Sequence, residues 1–251
     1  MNIAVPIKLV PDVVEELEIN DDGNDLERDY ISYKINEFCD HAFEEALQLK
    51  EAHGGTVTVL ALERDETEKV LYTAIAKGAD KAIKITGVDE AANSHTAAKA
   101  MCAALADVDY DVIMTGVQAA DDLDGQIGVL MAGTLGIPHV SAVSDISIDG
   151  DTITLHKEYA GGVMAKFTVT PKVVLGVQSA RQTPRYAPVS RVRQTIKESE
   201  LGEVESDAEN TGGVTVRRMY LPEKGDRAEM LTGSVEEIAG RIAELLNEKR
   251  R

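Results

Sequence analysis

Tryptophan is absent, phenylalanine occurs three times, and aromatic residues make up only 4% of a chain that is 43% hydrophobic. The core must therefore be built from Val, Ile, Leu and Ala, the usual filling of a parallel sheet packed under helices, which favours an α/β fold over an all-β sandwich. The two cysteines, Cys39 and Cys102, are too few for a disulfide framework or a zinc site and point to a reducing compartment. Positive charge is scarce as well. Lys and Arg number 26 against 44 Asp and Glu, a formal charge of −18 that repels nucleic acid and anionic membrane surfaces. The acids are spread along the chain rather than gathered in a tail, as expected of a protein kept soluble in a salt-rich, halophilic cytoplasm where screening relieves self-repulsion. The opening "MNIAVPIKLVPD" has neither the basic start nor the long apolar run of a secretory signal, and no stretch reads as a membrane span. A cytoplasmic protein, not embedded in a membrane, is expected.

Several catalytic signatures are missing too. The five histidines, at 41, 53, 95, 139 and 156, show no metal-type pairing, and there is no G-x-S-x-G elbow, no G-x-G-x-x-G after the first strand and no Walker-type loop. Cys39, near a helix start, reads as a small buried residue rather than a nucleophile.

What is present is a rhythm. A short apolar run at 2–9 predicts a first strand. "NEFCDHAFEEALQLK" (36–50) predicts a helix with Asn36 at its N-cap and Gly54 just past its end. "GTVTVLAL" (55–62) predicts a second strand. A helix with Asp65 and Glu68 in capping-box spacing then runs to Gly78 and enters another strand. Residues 94–108 and 111–116 predict a further helix and strand, and a fourth helix ends near Gly136. Four alternations imply a mostly parallel sheet with right-handed crossovers, and ligands on such sheets sit at the carboxyl ends of the strands. From about residue 143, alternating apolar positions with turns at Asp149-Gly150 and Gly161-Gly162 predict an antiparallel β-meander. Residues 179–233 lack sustained periodicity and are expected to be an extended arm with few core contacts. Residues 234–251 predict an amphipathic helix with Ser234 and Glu237 in capping-box spacing and Lys249, Arg250 and Arg251 at its negative end. Such a helix needs a surface, which a partner chain could provide. The chain thus divides into an α/β core over 1–178 and an appended part over 179–251.

The most informative stretch is "GVQAADDLDGQIGVLMAGTLGIP" (116–138), a strand end, a loop with three acids, and a glycine-rich helix. Its residues leave three readings open. Asp122 or Asp124 caps the helix while Gly125 and Gly128 permit close packing. Alternatively the helix start and loop amides cradle an anion, with Gln126 as a neutral donor. A metal held by Asp121, Asp122 and Asp124 is the third.

Four segments, taken in order, resemble one family. "NEFCDHAFEEALQLKE" resembles an N-P-F-C-E-x-A-x-E-E-A helix start, "LYTAIAKGADKAIKI" an L-x-x-A-L-A-x-G-A-D element, residues 116–138 a nucleotide loop, and "TPRYAPVSRV" a partner-recognition segment of the electron transfer flavoprotein β subunit. The resemblance implies a fold like that of adenine nucleotide alpha hydrolases, a halophilic archaeal member, and a subunit without side-chain catalysis paired with an α subunit that holds redox-active FAD. It implies AMP bound by this chain through Pro6, Asn36, Glu37, Phe38, Cys39, Leu62, Gly116, Gln118, Ala119, Asp121, Asp122, Asp124, Gly125, Gln126, Ile127 and Gly128, with Phe38 also near the flavin. It further implies docking of acyl-CoA dehydrogenases or other flavin dehydrogenases through Pro184, Arg185, Tyr186 and Val189, and onward transfer to a quinone oxidoreductase. The chain departs from the family pattern at Glu37, where Pro is frequent, at Leu62-Glu63-Arg64, where Gly-Pro is common, and at Gly125 and Ile127, where some members carry Asn and Thr. Fewer side-chain donors leave more of the phosphate to the backbone. The alternative of a second FAD in place of AMP, as in bifurcating relatives, matches "DDLDGQIG" only in part.

Overall fold

The computed structural model describes residues 1–209, 212–223, 225, 228 and 230–249. Among the described residues, eleven strands and six α-helices follow one another as β1 (Asn2–Ile7), β2 (Leu9–Pro11), β3 (Tyr33–Ile35), α1 (Glu37–His53), β4 (Thr56–Leu62), α2 (Thr67–Lys77), β5 (Lys81–Thr86), α3 (Ser94–Ala104), β6 (Val112–Gly116), α4 (Ile127–Leu135), β7 (His139–Asp149), β8 (Thr152–Tyr159), β9 (Val163–Val169), β10 (Val173–Val177), α5 (Val189–Glu198), β11 (Gly202–Glu205) and α6 (Val235–Lys249). Nine strands form one sheet in the order β11-β5-β4-β1-β6-β10-β7-β8-β9, and β2 and β3 pair separately as a small antiparallel ribbon. The α/β class with a mostly parallel sheet is therefore as expected.

The period-2 alternation of the strands builds two cores. Ile3, Val5 and Ile7 of β1 and Val112 and Met114 of β6 face α1 and α2, whereas Ala4 and Ile113 face α3 and α4. The sheet is thus buried on both faces, which explains why its central strands are nearly continuous apolar runs.

Chain order fixes where a ligand can sit. From β1 the chain moves outward through β4 and β5, then returns to place β6 on the other side of β1. The crossovers diverge between β1 and β6, leaving a crevice beyond their carboxyl ends.

Three expectations change. The meander is real for β7, β8 and β9, which pair antiparallel, but the run expected to extend it, β10, inserts between β6 and β7 and is parallel to both. All five of its residues are buried, and an apolar run of that kind is a central strand, not a half-solvated hairpin. Residues 179–233 are not simply an arm: α5 packs on α2, and β11 extends the sheet beside β5. The cationic exposed face of α5, with Arg191, Arg193 and Lys197, obscured its apolar period. The Asp65/Glu68 capping box does not form. The residue before α2 is Glu66, in the left-handed region at φ 66°, and the hydroxyl of Thr67 instead accepts the Arg64 amide at 2.9 Å and donates to the Leu62 carbonyl at 3.0 Å.

At the other end the capping box does form. The Ser234 amide donates to Glu237 Oε2 at 2.8 Å, and the Glu237 amide to Ser234 Oγ at 3.3 Å. Of the basic residues expected to close α6, Arg250 and Arg251 lie outside the described residues. No residue of α6 is buried, and Val235, Ile242 and Leu246 are exposed. No helix is long and apolar enough to cross a membrane among the described residues.

Candidate functional site

The crevice between β1 and β6 opens into a cavity lined by Pro6, Lys8, Asn36, Cys39, Met101, Thr115, Gly116, Val117, Gln118, Ala119, Asp122, Asp124, Gly125, Gln126 and Ile127. It continues into a groove of about 590 Å³ that Lys8, Leu62, Arg64, Asp121, Asp122, Asp124 and Gln126 also line. Most of the residues singled out from the sequence therefore meet in one place. Glu37 and Phe38 stand at the start of α1 beside it, exposed and half-buried respectively. Gly128 lies one residue into α4, packed beneath the cavity rather than lining it: a Cβ there would come within 2.8 Å of Thr115 Oγ1 and 3.1 Å of His139 Nε2.

Two helices point their starts at this cavity, and neither carries a side-chain cap. Their first amides have no intrahelical acceptor and hold the positive end of each helix dipole. At α1 the reason is visible. Asn36 occupies the N-cap position and is 1% exposed, but its side chain is committed to the loop, donating from Nδ2 to the Gln118 carbonyl at 2.8 Å and accepting the Ala120 amide on Oδ1 at 3.2 Å. Gly116 lets the helix come this close. A Cβ there would fall 2.8 Å from the Cys39 amide nitrogen and from the Phe38 carbonyl carbon.

The loop between β6 and α4 is curled by two left-handed residues, Leu123 at φ 55° and Gly125 at φ 63°. The curl spends most of its amides within the loop: those of Leu123, Asp124 and Gln126 donate to the Ala119 carbonyl, Asp122 and Asp124. Thr115 Oγ1 is buried in the wall with no hydrogen-bond partner among the described residues. An orphaned hydroxyl of this kind is uncommon in folded proteins, and it leaves a donor that no described residue uses in a side chain lining the cavity.

The three acids do not converge on a common point. Lys8 Nζ donates to Asp121 Oδ1 at 2.8 Å and Asp122 Oδ2 at 2.5 Å. Asp124 accepts the Ser94 hydroxyl at 2.8 Å on one oxygen and the Gln126 amide at 3.1 Å on the other. Asp122 Oδ1 takes the Asp124 amide at 3.1 Å. The acids are spent on Lys8, Ser94 and the loop's own backbone. Among the described residues no group of three His, Cys, Asp or Glu side chains is arranged for a metal ion, so the metal reading of these acids is not carried by their geometry. The capping reading also changes: Gln126, not Asp122 or Asp124, stands at the N-cap of α4.

Electrostatics follow from these pairs. Burial alone would lower the Lys8 pKa, but Asp121 and Asp122 together hold it above its ordinary value, so the ammonium stays charged. Burial raises the Cys39 thiol despite hydrogen bonds to it, keeping it neutral. Burial, then the nearby Lys157, lowers His139 and favours its neutral form beneath α4.

Lys8, Ser94 and Thr115 are site residues that the sequence reading missed. A signal for Lys8 was available, because it follows Pro6 by two residues at a strand end and so shares its face. Ser94 and Thr115 had none, being unremarkable residues at a helix start and in a strand.

The recognition segment lies elsewhere. Tyr186 and Val189 are 80% and 58% exposed, Pro184 and Arg185 are half-buried, and Val189 is the first residue of α5.

The model of the electron transfer flavoprotein domain matches residues 24–208. The electron transfer flavoprotein subunit beta of Methylophilus methylotrophus is 31% identical over 263 aligned positions, covering 99% of this chain and 98% of that protein. The subunit beta of Clostridium acetobutylicum is 30% identical, with 99% of each chain covered, and that of Bacillus subtilis is 29% identical, with 98% and 97% covered. With its β1/β6 crevice, its curled loop and relatives matched along their whole length, the chain belongs to the electron transfer flavoprotein β-subunit family.

Proposed function

We propose that this chain is the non-catalytic subunit of a heterodimeric flavoprotein. It holds AMP in the β1/β6 cavity and forms one side of a cleft for FAD carried mainly by an α subunit. Electrons arrive from acyl-CoA dehydrogenases or other flavin dehydrogenases and leave to a quinone oxidoreductase.

The observation that carries this reading is the pair of uncapped helix starts, α1 and α4, facing one cavity whose acids are already neutralised or hydrogen-bonded. A phosphate monoester suits that arrangement, since it supplies the acceptors that the first amides of α4 at Ile127 and Gly128, the Gln126 side chain and Thr115 lack. FAD, when bound, supplies the redox chemistry, and the chain's own part is to bind, orient and exclude water. Phe38, at the α1 start, would border the flavin on this reading.

The test is to purify the chain with its α partner, denature the complex and identify the released nucleotides by mass. One AMP per heterodimer supports the reading, a second FAD in its place selects the bifurcating type, and a colourless monomer that hydrolyses ATP overturns both. Val189→Asp is expected to slow reduction by acyl-CoA dehydrogenase while leaving the heterodimer intact, and unchanged reduction kinetics would remove Val189 from the docking site. A charge of −18 fits a salt-rich cytoplasm. Stability measured by thermal unfolding should then rise with KCl concentration, and a fall would reject a halophilic origin.

A further inference from the structure

Residues 178–188 form no helix or strand, and among 179–188 only Ala187 is buried, yet the segment is held against α1 by an unusual concentration of charge. Glu44 and Glu45, consecutive residues in the middle of α1, are both buried, at 3% and 0% exposed. Buried carboxylates persist only when paired and hydrogen-bonded, and each of these takes a main-chain amide and a guanidinium from the same partner residue. Glu45 accepts the Arg181 amide at 3.1 Å and Arg181 Nε at 2.9 Å. Glu44 accepts the Arg185 amide at 3.0 Å and Arg185 Nη2 at 2.9 Å. One turn before, His41 Nδ1 accepts the Ala180 amide at 3.2 Å, and nearly two turns after, Glu51 takes Arg185 Nη1 at 2.5 Å.

We propose that Glu44 and Glu45, with Arg181 and Arg185 as their partners, are positioning residues that hold this segment in a preformed docking conformation with Tyr186 and Val189 projecting outward. The inference deepens the proposed function and rests on it for the identity of the partner. Its physical basis is that a main-chain amide and a side chain of the same residue are fixed together, so the backbone itself is located and not merely a flexible tip. Arg185 is clamped from both sides, by Glu44 and Glu51, and the neighbouring Tyr186 side chain is left 80% exposed. An apolar pair held outward by buried charge presents itself to a partner without first losing its conformational freedom. The partner surface that fits is an apolar socket, not a charged one.

The experiment uses the heterodimer with Glu44→Gln and, separately, Arg185→Lys, which keeps the charge but loses the bidentate fork. Hydrogen–deuterium exchange of amides 180–187 should speed up in both variants, while the central strands and bound nucleotide are unchanged. With acyl-CoA dehydrogenase as the electron donor, KM for the heterodimer should rise about tenfold for Glu44→Gln, the scale of re-ordering two side chains on docking. Maximal rate should change little, and Arg185→Lys should fall between the variant and the unaltered protein. Unchanged exchange in both variants overturns the staple. Faster exchange with unchanged KM confines it to a structural role and overturns the positioning proposal. If the unaltered heterodimer is not reduced by the dehydrogenase, the donor assignment fails, and the exchange result alone then decides whether the staple exists.

Discussion

Asn36 and Asn93 stand at the same position of two helices, immediately before α1 and α3, and do opposite things. Asn93 Oδ1 accepts the amides of His95 at 3.0 Å and Thr96 at 3.1 Å, closing the start of α3. Asn36 turns its amide away from α1 onto the loop at Gln118 and Ala120, leaving the helix start open to the cavity. The same residue type in the same register is a cap in one place and a brace in the other. What differs is the neighbour: α1 abuts Gly116 and the loop after β6, whose polar backbone must be satisfied in a part-buried setting, whereas α3 begins at the edge of the groove.

This comparison can be broken most directly at Asn36. Asn36→Ala should destabilise the protein by ~2 kcal/mol, because it removes two loop hydrogen bonds and leaves a carbonyl and an amide without partners. It should also release the nucleotide, as read by chemical denaturation together with nucleotide content. Retention of full nucleotide would mean that the loop is shaped without its brace. Lys8→Gln probes the other half of the site. It leaves Asp121 and Asp122 uncompensated beside the phosphate position and should weaken AMP binding about tenfold, judged by titration calorimetry, with the loss shrinking at high KCl as the acids are screened. An affinity insensitive to this change would show that the acids are neutralised by something other than Lys8. The smallest effect is expected at Asn93→Ala, about 1 kcal/mol of stability for a lost cap, together with the exposed bond its Nδ2 gives the Gly212 carbonyl at 2.7 Å, with nucleotide content unaltered. Nucleotide loss in that variant would erase the distinction between the two helix starts.

Much of this was legible in advance for reasons that can be named. Strands and helices announced themselves through periods of 2 and 3.6, and the ends of α1 and α2 through Gly54 and Gly78. The loop at 116–127 stood out because glycines and acids at a strand end have few other uses. The Ser234 and Glu237 box was read correctly because every group it needs lies within one turn. The Asp65 and Glu68 box was misread for the complementary reason. Glu68 is taken by Lys84 of β5 at 2.9 Å, a residue no local window includes. α5 was missed because its exposed arginines hid its period, and β11 because four residues beside an edge strand carry almost no pattern of their own.

By itself the sequence determined the class of fold, the alternation of the main-sheet strands and helices from β1 to α4 and the stretch that forms the site, because hydrophobic periodicity and backbone-permissive glycines are local properties of the chain. Only the tertiary structure decided what the charged and polar residues do. It brought Lys8 from the end of β1 to Asp121 and Asp122, Ser94 to Asp124, and Arg181 and Arg185 to Glu45 and Glu44. Each of these pairs joins residues far apart in the chain, and a buried charge acquires its role from whichever partner the fold sets beside it.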